Sequence, residues 1–291
     1  MSNAAAFDSI LSGLADGSVV PYLGCRALDG VIDPTSGRAI PADSDSLILA
    51  MNDGKPMAPK LMYEFPRAAM NIELKRGRKA VTKFLDRTYR DTVWSTSALH
   101  NWLAQQNLPY IIDSNRDLLL QNAYAGKPHT LIVGLSRIGG TDYRFKLFQS
   151  DGAIYREIAQ EMVDITLPIL FKPLGSPVPE SHYIASDADF VDYVTELMGG
   201  FGIPAFVKRM RQGKRYLLLG LPLTRDTERM VLSDIVYGRA QAGGWALMPN
   251  ATDKEKRFLA KLGLELIQAS ASDLLAAANA PIPVPEALEA A

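Results

Sequence analysis

The chain has 291 residues, of which 47% are apolar and 22% are charged, and its formal net charge is −1 at pH 7. This length and composition are typical of one large globular domain, or of a domain with a sizeable insertion. The near-zero charge excludes a whole-molecule field that attracts nucleic acid or an anionic membrane, so we expect neither as a partner.

Cysteine content and the N-terminal composition narrow the chemistry and the compartment. Cys25 is the only cysteine, which excludes an intramolecular disulfide and a zinc site built from several thiolates, and we expect no metal. The N-terminal segment contains Asp8 and Asp16 and lacks the basic and long apolar runs of a secretory signal. No window of about 18 residues is apolar enough to span a bilayer. These features favour a cytoplasmic protein.

The first third of the chain combines one buried strand with several helices. The apolar run at residues 19–23 predicts a strand that ends in Gly24. Helical periodicity is found over residues 4–16, 61–71 and 74–89, and one short helix is expected near residues 46–51 in an otherwise loop-rich region. The last three of these segments predict a small helical insertion over residues 31–96. The basic run at 75–79 fits a solvated helix start better than a phosphate or nucleic-acid contact.

The remainder of the chain alternates strands with helices. Strands are predicted over residues 109–112, 131–135, 143–149, 168–171, 216–220, 245–248 and 264–268. Helices are predicted over residues 97–106, 118–124, 187–198, 204–211, 225–237, 253–262 and 272–278. This alternation predicts an α/β fold with a doubly wound, parallel, Rossmann-like sheet, formed by residues 1–30 and 97–280. Residues 281–291, which contain three prolines, are predicted to be a flexible tail.

Several apolar runs end in small or polar residues, a pattern expected where strand ends line one crevice. Four such segments are VPYLG at 20–24, IIDSNRD at 111–117, LFKPLG at 170–175 and LGLPLTRD at 219–226. In this order they resemble the SIR2-like (sirtuin-related) family, and most closely the bacterial SIR2-like domains of NAD-hydrolysing defence proteins. The resemblance runs from about residue 17 to about residue 276. It implies a Rossmann-like domain that binds NAD or ADP-ribose at these strand ends.

The first motif departs from the pattern of that family. The family has Gly-Ala-Gly-x-Ser, whose backbone approaches the NAD pyrophosphate, and here Gly24, Cys25 and Arg26 match its first three positions, with Leu28 in place of the serine. The resemblance implies that the first three contact the cofactor. An arginine at the second glycine position either fills the phosphate gap or replaces backbone contacts with a charged fork.

The second motif retains the polar residues of the family. By resemblance, Asn115 positions the nicotinamide ribose and a water, and Ser114, Asn115 and Asp117 belong to the cofactor-binding set. Asn115 and Asp117 also fit the capping of the helix that follows, a role that both side chains fill readily. Capping and ribose contact are compatible.

The third motif lacks the catalytic histidine of the family. Its position is taken by Leu174, followed by Gly175, which is assigned to the cofactor-binding set. A leucine cannot accept a proton from a ribose hydroxyl, and loss of a general base commonly lowers the rate by a factor of about 100 to 10,000. His182 is the candidate substitute, because it lies eight positions further on, whereas His100 and His129 fit surface or capping roles better.

The fourth motif completes the expected site. Gly220, Leu221 and Thr224 match the turn that contacts the adenosine side of NAD in the family, with Pro222 where a serine is usual. Proline removes both a hydroxyl and a backbone N–H from that turn.

Three functions are compatible with these motifs. The substitutions at Arg26, Leu174 and Pro222 each remove a feature that NAD chemistry needs, so we expect a catalytically impaired protein that binds NAD or ADP-ribose in a sensing, regulatory or scaffold role. One alternative is an active NAD glycohydrolase or ADP-ribosyl-transfer enzyme that uses Asn115 with His182 or water. The other is a structural or assembly protein with a filled crevice. The expected partner is a nucleotide, and a protein partner or a homo-oligomer stays open.

Overall fold

The structure is a computed structural model that describes residues 3–106, 108–236 and 243–279. The strands within these ranges are β1 (Val19–Leu23), β2 (Tyr110–Asp113), β3 (His129–Gly134), β4 (Phe145–Ser150), β5 (Tyr155–Glu157), β6 (Ile169–Lys172), β7 (Gly175–Ser176), β8 (His182–Tyr183), β9 (Arg215–Leu219), β10 (Gly244–Leu247) and β11 (Leu264–Ile267). Nine of them form one sheet in the order β11-β10-β9-β1-β2-β6-β3-β4-β5, and β7 and β8 form a separate hairpin. The fold is therefore α/β with a mostly parallel central sheet, as predicted.

The strands from β11 to β3 are all parallel to their neighbours, whereas β4 and β5 run antiparallel at one edge. This antiparallel edge departs from the fully parallel sheet of the prediction. The strands β5, β7 and β8 were not predicted, because runs of two or three residues are too short to show a period.

The helices cover both faces of the sheet. They are α1 (Asn3–Ala15), α2 (Ser44–Met51), α3 (Pro59–Met62), α4 (Phe65–Arg76), α5 (Arg78–Tyr89), α6 (Ala98–Gln105), α7 (Leu119–Ala123), α8 (Asp187–Met198), α9 (Ala205–Met210), α10 (Asp226–Val236), α11 (Asp253–Lys261) and α12 (Ala271–Ala277). Val20 and Tyr22 pack with α8, α9, α10 and α11, whereas Val19 and Leu23 pack with α1, α6, α7 and α12. Burial on both faces explains the uninterrupted apolar strands and is compatible with a Rossmann-like fold.

The predicted helical insertion forms a third apolar cluster. Helices α2, α4 and α5 contribute its buried residues, and Leu28, Leu119 and Tyr183 of the sheet domain belong to the same cluster. Leu28 follows β1 and Leu119 follows β2, so the insertion packs over the carboxyl edge of the sheet.

None of the described helices is both long and apolar enough to cross a membrane. The predicted flexible tail at residues 281–291 lies outside the described residues.

Candidate functional site

The strand order reverses at the centre of the sheet. From β1 the chain continues through β2, β3 and β6 on one side, and then through β9, β10 and β11 on the other. The two halves separate between β1 and β9, and open α/β sheets bind ligands at the carboxyl ends of the strands at such a switch point. We call the region at the carboxyl ends of β1, β2 and β9 the switch-point crevice.

The turns after β1 and β9 touch each other closely. The backbone N–H of Gly24 donates to the carbonyl of Leu219 at 2.9 Å, and that of Arg26 donates to the carbonyl of Gly220 at 2.9 Å. A Cβ atom at position 24 would lie 2.6 Å from the Gly220 oxygen, and Gly220 itself has a φ of +66°. Both positions therefore need glycine, and Leu221, which is buried in the core, helps to hold the two turns together.

The side chain of Arg26 lies outside the crevice. It is 61% exposed, and its guanidinium is 3.7 Å from the carboxylate of Asp29. Arg26 therefore does not fill the space expected for a phosphate, which removes the blocking role considered for it above. The neighbouring Cys25 thiol is different, because burial raises its pKa and keeps it protonated at neutral pH. A protonated thiol is a poor nucleophile and a poor metal ligand.

The side-chain amide of Asn115 is held from two sides. Its Nδ2 donates to the carbonyl oxygen of Gly24 at 3.0 Å and to Oδ1 of Asp113 at 2.8 Å. The backbone N–H of Asn115 donates to the same Asp113 oxygen at 3.0 Å. Both side-chain partners are acceptors, which assigns the amide nitrogen rather than the oxygen to them. Asn115 is thus locked in one orientation beside the turn after β1.

A buried ion pair holds the Asn115 side chain in place through Asp113. Asp113, the last residue of β2, and Lys172, the last residue of β6, are both fully buried, and Lys172 Nζ lies 2.6 Å from Asp113 Oδ2. Lys172 also donates to the backbone carbonyl of Asp117 at 2.9 Å. One carboxylate therefore binds Lys172 with one oxygen and Asn115 with the other.

The other two predicted cofactor contacts of this motif, Ser114 and Asp117, form hydrogen bonds within the protein. The hydroxyl of Ser114 donates to the carbonyl of Leu23 at 2.7 Å, which ties β2 to β1. Asp117 Oδ1 accepts from the backbone N–H of Leu119 at 2.7 Å, at the start of α7. Of the two capping candidates, Asp117 accepts from the first residue of the helix and Asn115 does not, although the N-cap position itself is taken by Leu118.

The side-chain contact of His182 is with Glu180 and not with Asn115. Its Nε2 is 2.9 Å from Glu180, and the same Glu180 oxygen is 2.8 Å from Lys146 on β4. In the sheet, β2, β6 and β3 lie between β1 and β4. His182 and Asn115 are thus not brought together, and the role of His182 as a surrogate base stays a prediction without supporting contacts.

The other two histidines are buried. His100 Nδ1 lies 2.8 Å from the Ser97 hydroxyl, and burial lowers the pKa of its ring, which lies near Asp113 and Asp117. His129 Nε2 lies 2.7 Å from the Tyr155 hydroxyl, and burial lowers its pKa as well. Both are core residues rather than the surface or capping residues that the sequence suggested. No hydrogen bond joins a histidine to Asn115 within the described ranges.

The resemblance also assigns Gly175 and Thr224 to the cofactor-binding set. Gly175 has a φ of +94° and pairs with Tyr183, and a Cβ there would lie 2.8 Å from the Tyr183 Cα, so its glycine serves the hairpin of β7 and β8. Thr224 is exposed on the turn between β9 and α10. The backbone carbonyl of Leu174 accepts from Ile184 at 3.1 Å.

The beginning of α4 spans the switch-point crevice. The ring of Phe65 stacks with the guanidinium of Arg116 at 5.4 Å, next to Asn115. On the other side, the Glu64 carboxylate accepts from the hydroxyl and from the backbone N–H of Thr227, in the first turn of α10. Residues 64–65 therefore join the ends of β2 and β9, and Glu64 occupies part of the anion-binding end of α10.

A second carboxylate at this place, that of the half-buried Glu228, has one buried oxygen. Glu228 Oε2 accepts no hydrogen bond within the described ranges, and burial raises the pKa of this residue to about 8, helped by the nearby Glu64. Glu228 is therefore largely protonated at neutral pH.

The sequence interpretation missed Asp113, Lys172, Glu64 and Glu228. A signal existed for the first two, because each is a charged residue that ends an otherwise apolar strand, and the two charges are opposite. No comparable signal marked Glu64 and Glu228, whose importance comes only from where the insertion packs.

The sequence matches no known protein-family model, and it matches none of the curated proteins. The site is therefore interpreted from its own geometry.

Proposed function

We propose that this chain is a SIR2-like protein that binds a ribose-bearing nucleotide, of the NAD or ADP-ribose class, in the switch-point crevice and turns it over poorly or not at all. The orientation of the Asn115 side chain carries this proposal. Its amide nitrogen is used twice within the protein, and its Oδ1 accepts no hydrogen bond from the described residues. An oxygen in this position suits a ligand that donates, as a ribose hydroxyl does.

The supports of Asn115 favour a binding site over a chance arrangement. Lys172 compensates the charge of Asp113, and Asp113 then accepts from both the backbone and the side chain of Asn115. A side chain that is already fixed loses little conformational entropy when a ligand binds. The network therefore supports a preorganised contact for one hydroxyl group.

Among the described residues no histidine is hydrogen-bonded to Asn115, which favours binding without efficient turnover. Leu174 has no titratable group, His182 pairs with Glu180, and His100 is fully buried. Cleavage of a nicotinamide glycoside that needs a ribose hydroxyl to be deprotonated would lack its usual acceptor. Such a protein suits a sensing, regulatory or scaffold role, where the bound state is the output.

The direct test is calorimetry with NAD and with ADP-ribose, together with an assay of nicotinamide release. We expect binding by the wild type, at least tenfold weaker binding by Asn115→Ala, and no release of nicotinamide above background. The matched control is Asn122→Ala, an exposed asparagine on α7, which should bind like the wild type. Release that Asn115→Ala abolishes would instead establish the NAD glycohydrolase alternative.

One observation favours a second candidate, a structural or assembly protein. Glu64 already occupies part of the N-terminal end of α10, and the turns at Gly24 and Gly220 are in direct contact. Both contacts take up space at the carboxyl ends of β1 and β9 that a dinucleotide would use. The absence of heat with both ligands would favour this candidate and contradict the first.

A further inference from the structure

The guanidinium groups of two arginines lie over the ring of Tyr63, at the carboxyl edge of the sheet. The guanidinium carbon of Arg225 lies 4.7 Å from the ring centroid, and that of Arg67 lies 5.4 Å from it. Tyr63 itself is 43% exposed. Tyr63 and Arg67 come from the helical insertion, whereas Arg225 follows the β9 turn, so the cluster forms only when the insertion packs on the sheet.

The two arginines lack counter-ions in close contact. Neither Arg67 nor Arg225 has a carboxylate within 4.0 Å among the described residues, although eleven other lysines and arginines do. The nearest acids act at longer range: Asp187 faces Arg67, and Glu228 lies near Arg225 and is largely protonated at neutral pH. Two like charges on one ring repel each other unless an anion lies between them.

The cluster also stands in the right place for a phosphate. Tyr63 directly precedes Glu64 and Phe65, which contact the two sides of the switch-point crevice. Arg225 lies five residues after Gly220, whose turn touches the backbone of Arg26. Guanidinium groups bind phosphate oxygens through paired hydrogen bonds, and their stacking on an aromatic ring keeps their donors oriented.

We propose that Arg67 and Arg225, held on Tyr63, form an anion site for a phosphate or diphosphate group. The two arginines would supply the positive charge that a phosphate needs. The closely packed Gly24 turn and the acidic residues Glu64 and Glu228 do not supply it. The inference rests on the proposed function where the anion site is taken to hold the phosphates of the nucleotide. The binding of inorganic pyrophosphate to the same site does not depend on that function. The ligand class is a phosphorylated one, recognised by two arginines rather than by a glycine-rich backbone.

The test is calorimetry with inorganic pyrophosphate at low ionic strength. The wild type should bind, Arg67→Gln and Arg225→Gln should each bind at least tenfold more weakly, and the double variant should show no measurable binding. Arg209→Gln is the matched control, because Arg209 is an exposed arginine on α9 and should leave the affinity unchanged within a factor of two. Thermal unfolding of each variant verifies that it folds. No binding by the wild type, or equal binding by all four variants, would overturn the proposal.

A parallel titration with ADP-ribose separates this inference from the proposed function. If both are correct, ADP-ribose binds more tightly than pyrophosphate, and Asn115→Ala weakens only the binding of ADP-ribose. If ADP-ribose binding depends on Asn115 but not on either arginine, the anion site is wrong and the proposed function stands. If pyrophosphate binding depends on the arginines while ADP-ribose gains nothing from Asn115, the anion site stands and the proposed function fails.

Discussion

Two buried acids lie on opposite sides of the switch-point crevice, and only one of them has its charge compensated. Asp113 is fully buried but binds Lys172 and the amide of Asn115. Glu228 has a buried oxygen that accepts no hydrogen bond from the part of the chain that the structure describes, and burial raises its pKa to about 8. At the end of β2 the carboxylate charge is compensated by a buried cation, whereas the edge of the sheet beside β9 is sensitive to protonation.

The largest expected effect comes from removing the cation that compensates the charge of Asp113. Lys172→Met leaves Asp113 as a buried carboxylate without its cation, and removal of one partner of such a pair commonly costs about 3 to 5 kcal/mol. Urea unfolding at pH 7 measures the loss. The double variant Lys172→Met/Asp113→Asn removes the orphaned charge and should recover at least half of it. Equal losses in the single and double variants would contradict the assignment of a buried ion pair.

The next effect concerns the uncompensated side and depends on pH. The pKa of Glu228 is about 8 in the folded chain against 4.5 as its ordinary value, so the folded state binds more protons between these values. Its stability should therefore fall as the pH rises from about 4.5 to about 8. Glu228→Gln lacks this titrating group, so its free energy of unfolding should not fall in the same way. Relative to the wild type, we expect the variant to be more stable at pH 8.5 than at pH 4.5 by about 2 to 4 kcal/mol.

Unfolding curves across this pH range measure the effect of Glu228, and Glu265→Gln provides the control, since Glu265 is exposed on β11. The same pH dependence in Glu228→Gln and in the wild type would show that Glu228 is not the group that titrates.

A smaller effect is expected at the contact between the two turns. In Gly24→Ala the new Cβ would lie 2.6 Å from the Gly220 oxygen, so the turns after β1 and β9 must separate. We expect a loss of about 1 to 3 kcal/mol, as for other overpacked sites. Gly139→Ala is the control, because a Cβ there meets nothing within 4 Å. If both alanine variants are equally stable, the contact between the turns is looser than the structure indicates.

The smallest effect is expected at Arg26. Its side chain is 61% exposed, and its partner Asp29 is 66% exposed at 3.7 Å. Exposed pairs of this kind contribute little, so Arg26→Ala should change the free energy of unfolding by less than about 0.5 kcal/mol. A loss of several times that size in thermal or urea unfolding would mean that Arg26 packs into the crevice after all.

Much of the fold could be predicted from local patterns. The strand at β1, the strand at β9 and the helix α8 were predicted to within one residue, because burial on two faces or on one helical stripe leaves a period in the sequence. The antiparallel edge at β4 and β5 was not, since pairing direction depends on where a connection returns. The role of Arg26 also stayed open, because a sequence does not show where a long side chain points.

The candidate site was predicted in part. Asn115 and Asp117 were both predicted as capping candidates, and their hydrogen-bond partners could not be told apart from the sequence: Asp117 accepts from Leu119, whereas Asn115 donates to Gly24. Lys172 was noted only as part of a motif, and the pair it forms with Asp113 joins residues 59 positions apart. Contacts over such distances leave no local period from which they can be read.

The longer elements and their chemistry could be inferred from the sequence alone: an alternation of strands and helices, polar residues at strand ends, and a leucine at position 174. These follow from local backbone preferences and from which side chains avoid water. The three-dimensional packing was needed to establish the sheet order, the pairing of Asp113 with Lys172, the exposure of Arg26, and the contacts of Arg67 and Arg225 with Tyr63. Each depends on how distant segments pack, and the packing energy is shared among many residues rather than encoded in any one stretch.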